Sequence, residues 1–157
     1  MVPAGGARQP RSAVTGVPRQ AEDGNVRSDD DLYMDGVAVL YMALRDAPEA
    51  IDEAAALAGW TRADVAFFGL HQANRFMTEY LAKKLRAPAG AVPFAAGDVG
   101  NTGPASIPLL LARAQPTLAA EGRLERTVLC GFGVGFSVAA LATPLSSTLV
   151  LPPVELE

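Results

Sequence analysis

Val65-Ala66-Phe67-Phe68-Gly69-Leu70-His71 is the stretch that decides the fold. Six apolar residues run without alternation and end on the only histidine of the chain. A strand that is apolar at every position is buried on both faces, as in parallel sheets covered by helices. A polar residue just past the carboxyl end of such a strand faces the crevice where open α/β sheets bind ligands. His71 therefore has two readings. It is either a site residue, able to donate from Nε2 or exchange a proton near neutrality, or a structural imidazole at a helix start.

Outward from this strand, helical and strand patterns alternate. Val37, Leu40, Tyr41, Leu44, Ala47, Pro48, Ile51, Ala54 and Ala55 follow the i, i+3, i+4 rule, which predicts a helix from Asp35 to about Ala58, kinked at Pro48 and stopped by Gly59. A second helix is predicted over 72–85, with Ala73, Phe76, Met77, Tyr80, Leu81 and Leu85 as its apolar stripe. Ala91-Val92-Pro93-Phe94 reads as a short strand weakened by its proline. A third helix is predicted over 104–118, with Asn101 or Thr102 as cap and Pro104 in its first turn. Its apolar residues surround the axis until Arg113, so it needs cover on every side, and one sheet covers only one. Residues 126–132 and 136–142 read as a strand pair around a glycine-rich turn. The order α-β-α-β-α-β-β implies an α/β fold with a mixed sheet and helices on both faces. Residues 1–30 have no period and read as an irregular connecting segment, 31–145 as the folded body, and 146–157 as a tail.

Composition narrows the function. The chain has 157 residues, 50% hydrophobic and 19% charged, with a net charge of −4. That acidity argues against a nucleic-acid partner. No membrane partner is expected either, because the longest apolar stretch, 128–144, is short of a span of about 20 residues and is broken by glycines. One Cys and one His exclude a disulfide framework and leave no expected metal site. A reducing, cytoplasmic setting is the expectation.

Three further segments bear on chemistry. Gly100-Asn101-Thr102-Gly103 puts an amide side chain before the third helix, although a turn with a cap explains the same residues. Gly131-Phe132-Gly133-Val134-Gly135 is followed by a strand, not a helix, so it is no phosphate cradle; it suits close approach of a ligand or another backbone. Cys130 lies inside an apolar strand with no adjacent cation or helix start, and reads as a core thiol. Polar activators are thus present without a nucleophile.

Leu70-His71-Gln72-Ala73-Asn74, then Gly100-Asn101-Thr102 with Ala105-Ser106-Ile107-Pro108, then Gly131 to Ser137 together resemble the 3-oxoacyl-(acyl carrier protein) synthase III family of condensing enzymes, over about residues 31–143. The resemblance implies the C-terminal half of a thiolase-like fold, with the 104–118 helix between two sheets. It implies catalytic roles for His71 and Asn101, substrate contacts at Asn74, Gly36, Phe132 and Gly133, and no cofactor. Acyl-coenzyme A, malonyl thioester and acyl carrier protein would be the reaction partners. The Cys nucleophile would come from an N-terminal half, and the complete protein would be a dimer. Two positions depart from the family: Gly36-Val37 stands where Gly-Asn is usual, and Phe76 where an Arg is common, with Arg75 one position earlier. These suit a divergent branch, such as polyketide or other secondary metabolism. The alternatives are a non-catalytic interaction subunit, or a truncated fragment without independent activity.

Overall fold

The computed structural model of the chain describes residues 7, 9–31, 33–133 and 136–154. Val134 and Gly135 of the glycine-rich turn lie outside the described residues, as do the two ends of the chain. The chain divides into two compact units, Met1–Val39 and Leu40–Glu157.

The first unit contains a small antiparallel pair, β1 (Arg19–Gln20) and β2 (Val26–Arg27), where the sequence suggested only irregular chain. Local side-chain bonds fix it. Asp23 Oδ1 accepts from Asn25 N at 3.0 Å within the turn, and Arg27 pairs with Asp23 across it. Asp35 Oδ1 accepts from Ala38 N at 2.9 Å and so caps α1 (Gly36–Leu57). Pro48 is accommodated inside that helix. Gly59, at φ +76°, ends it: the following Trp60 N–H returns to Ala55 O at 2.8 Å, closing the last turn.

The second unit is built on a three-stranded mixed sheet in the order β3-β4-β5. The parallel strand β3 (Phe67–Leu70) pairs with β4 (Thr127–Gly133) with Phe67 opposite Thr127, and β5 (Ser137–Thr143) pairs antiparallel with Gly133 opposite Ser137. Side chains alternate across the sheet, so each strand contributes to two cores. Phe68, Leu70, Val128, Cys130 and Phe132 face one way. They pack with Met42, Ala43, Ala47, Ile51 and Ala55 of α1 and with Met77, Leu81 and Leu85 of α2 (Arg75–Leu85). Phe67 faces the other way and packs with Leu110 and Leu118 of α3 (Ser106–Ala120) and with Leu124. Helices therefore cover both faces, and β3 is buried at all four positions, as its sequence requires.

Three expectations need correcting. Residues 91–94 form no strand: Ala91 O accepts from Phe68 N at 2.8 Å, but Pro93 has no N–H to continue a ladder. The second helix starts at Arg75, not 72, because Gln72 is drawn into the core and Asn74 becomes the cap. The apolar stripes are narrower than their spacing predicts. Phe76 and Tyr80 on α2 are exposed and lean on each other at 5.8 Å, and Val37 and Tyr41 on α1 are exposed as well.

The third helix is covered on one side only. Ser106, Leu110 and Leu118 are buried, whereas Ile107, Leu109 and Leu111 are part-exposed and Pro108 is exposed. On β5 the positions alternate, and Leu141 is left exposed. No helix among the described residues is long and apolar enough to cross a membrane.

Candidate active site

His71 stands where the sequence put it, one residue past β3. Its N–H donates to Cys130 O at 2.9 Å and extends the ladder by one bond. The ring is half-buried. The Phe132 ring meets it edge to face, 5.2 Å between centroids at 85°, and Ser106 Oγ lies 2.6 Å from Nδ1. Among the described residues Nε2 has no hydrogen-bond partner. Burial holds the ring's pKa below its ordinary 6.5, so it is a neutral imidazole at pH 7.

A cleft of about 320 Å³ opens in the same unit, lined by Ala73, Asn74, Arg75, Phe94, Gly97 and Asn101 among others. The two asparagines serve it in the same way. Asn74 Oδ1 accepts from Met77 N at 2.8 Å and caps α2; Asn101 Oδ1 accepts from Gly103 N at 2.9 Å. Each carbonyl oxygen accepts from the local backbone, and among the described residues each Nδ2 is left as a donor for a ligand. Gly100, at φ +68°, supplies the left-handed backbone that turns the chain into Asn101. The His71 ring does not line this cleft; it faces Ser106 and Phe132. Arg75 lies on the cleft wall with its guanidinium 4.4 Å from the Phe94 ring centroid and Glu79 at 3.8 Å.

The other expected positions are placed less closely. Phe132 is buried against His71, and Gly133 ends β4 opposite Ser137. Gly36 is the first residue of α1 and belongs to the first unit, whereas the cleft belongs to the second. Cys130 is wholly buried, and burial pushes its thiol up to about 12, which fits packing and not attack.

Two residues that frame the site were not singled out in the sequence. Gln72 is 1% exposed: its Nε2 donates to Leu70 O at 2.8 Å, and its Oε1 accepts from Ala95 N at 2.9 Å. It ties the end of β3 to the 93–96 segment that replaces the expected strand. Removing it would leave buried backbone groups unpaired, at about 1–3 kcal/mol each. Arg113 fixes the same segment from α3, with Nη1 on Ala95 O at 2.6 Å and a two-pronged pair to Asp98. Arg113 is a lone charge on an apolar helix, whereas Gln72 stands among other polar residues, and nothing local names the partners of either.

The fold has known counterparts among solved structures. A crystal structure of a 3-oxoacyl-(acyl-carrier-protein) synthase III superposes with a TM-score of 0.79 and 40% identity, covering 92% of this chain and 42% of that one. The priming β-ketosynthase of the R1128 polyketide biosynthetic pathway follows at 0.56 and 34%, covering 71% of this chain and 34% of that one. The described body is thus the C-terminal half of a thiolase-like condensing-enzyme fold. Residues 55–144, more than half of the chain, match the family described as 3-oxoacyl-[acyl-carrier-protein (ACP)] synthase III C terminal. The chain belongs to this family. A β-ketoacyl-[acyl-carrier-protein] synthase III of Streptomyces coelicolor is 41% identical over 114 residues, 71% of this chain and 33% of that protein. The chain spans about a third of the length of such relatives.

Proposed function

We propose that this chain is the catalytic C-terminal half of a β-ketoacyl synthase III-like acyltransferase. In it, His71 and Asn101 stabilise the enolate formed from a malonyl thioester. The observation that carries the reading is the state of His71: a neutral ring at the end of β3, held at Nδ1 and, among the described residues, without a partner at Nε2, in the same unit as a cleft lined by two asparagines. Decarboxylation breaks the bond to the carboxyl carbon, releases carbon dioxide and leaves the electron pair on the thioester as an enolate. Neutral donors aimed at that oxygen favour the charge as it develops. The carbanion then attacks the carbonyl of an acyl group held as a thioester by a Cys of the N-terminal half; a carbon–carbon bond forms and the Cys thiolate leaves. Asn74 and the cleft take the pantetheine arm of coenzyme A or acyl carrier protein, whose amide oxygens accept from Nδ2 donors. Phe132 backs the His71 ring, and Gly133 lets substrate pass close to the backbone. We assign no resident cofactor, a dimeric complete protein and a cytoplasmic setting.

The likeness to a priming β-ketosynthase, together with Val37 and Phe76 at the two departing positions, supports starter-unit chemistry in polyketide or other secondary metabolism. The test is malonyl thioester decarboxylation, followed as carbon dioxide release. Activity is expected when the chain is mixed with a Cys-bearing N-terminal half from a relative, and from neither alone. A folded, associated pair that releases no carbon dioxide overturns the reading.

A further inference from the structure

We propose that Ser106 is a positioning residue for His71: its hydroxyl donates to Nδ1, so the neutral ring carries its proton on Nε2. The inference rests on the role given to His71 above. Ser106 opens α3 and is 2% exposed, so its hydroxyl has no water to turn to. Its Oγ lies 2.6 Å from His71 Nδ1 and 3.3 Å from Gln72 N. The Gln72 amide can only donate, so Oγ accepts there. The hydroxyl proton then needs an acceptor, and Nδ1 is the one within hydrogen-bond distance among the described residues.

The opposite tautomer fails this accounting. A protonated Nδ1 would make Oγ accept twice and leave its own hydrogen buried without a partner, which is costly. Phe132 fixes the ring from its edge and Cys130 O fixes the backbone, so the ring cannot turn away freely. Ser106 follows Asn101 on the same connection into α3. One segment thus carries one oxyanion donor and sets which nitrogen of the other bears the proton.

His71 is the only histidine, so isotopic labelling of histidine ring nitrogens in the full chain reports one imidazole. Slightly above neutral pH, nitrogen–proton correlation spectra are expected to show Nε2 protonated and Nδ1 bare, with the Nε2–H form in about tenfold excess, the equilibrium worth of one hydrogen bond. Ser106→Ala is expected to move both nitrogen signals toward the exchange average while circular dichroism stays unchanged. A protonated Nδ1 in the wild-type chain, or an unmoved tautomer ratio in folded Ser106→Ala, overturns the proposal. If Ser106→Ala does not fold, the wild-type spectrum decides alone. Catalysis does not enter this measurement. A bare Nδ1 beside an inactive pair sinks the catalytic reading only, and a protonated Nδ1 beside an active pair sinks this one only.

Discussion

His71→Ala is expected to lower malonyl decarboxylation by the reconstituted pair by about 10²–10³-fold, the usual cost of one lost oxyanion donor. Asn101 would remain, so activity falls without vanishing. The pH dependence follows from burial. The unfolded imidazole titrates near 6.5 and the folded one lower, so the donor stays neutral as pH falls through 6.5. Rate should therefore hold on the acid side until the depressed folded value is reached. Stability moves first. Below 6.5 the unfolded chain binds the proton before the folded one does, so folding weakens as pH falls toward the folded pKa. Rates of the variant and wild-type pairs, with circular dichroism as a folding control, decide the matter. An unchanged rate in folded His71→Ala removes His71 from the mechanism.

Phe68→Ala is expected to cost about 3–5 kcal/mol, the range for emptying a buried aromatic site. Phe68 is wholly buried in the core that joins α1, α2 and the sheet, and its N–H also holds Ala91 O. For a chain of this size the thermal midpoint should drop by about 6–20 °C, at roughly 2–4 °C per kcal/mol. Phe76→Ala is the control. It removes the same side chain from an exposed position on α2 and should stay within about 0.5 kcal/mol. Chemical denaturation of both variants measures the difference; equal losses would mean that the assignment of the two phenylalanines to core and surface is wrong.

The contrast between these phenylalanines shows what the sequence made legible. An unbroken apolar run such as 65–70 has one physical interpretation, burial on both faces, and the structure places Phe67 and Phe68 in different cores. A helical stripe is less decisive, because its width depends on what packs against it, and so Phe76 and Tyr80 fit the helical spacing yet lie at the surface. The 91–94 strand failed because Pro93 breaks a ladder that apolar content alone suggests. His71 and Asn101 were legible as polar residues at the ends of apolar elements. Ser106 was not. Its importance comes from a contact across 35 positions, and no local period encodes that.

The sheet order carries a consequence in time. β4 and β5 are near neighbours along the chain, joined by residues 134–136. A pair of that kind closes within microseconds. β3 must find β4 across a separation of roughly 60 positions, and such closure is entropically dearer and slower. The hairpin is therefore expected to form first and the parallel strand to dock onto it late. His71 hangs on that docking through its bond to Cys130 O, so the imidazole meets Phe132 and Ser106 only in the last phase of folding. Temperature-jump relaxation, which reaches microseconds, with one probe on the hairpin and one at the His71–Phe132 contact is expected to show two phases; a single shared phase would overturn this order.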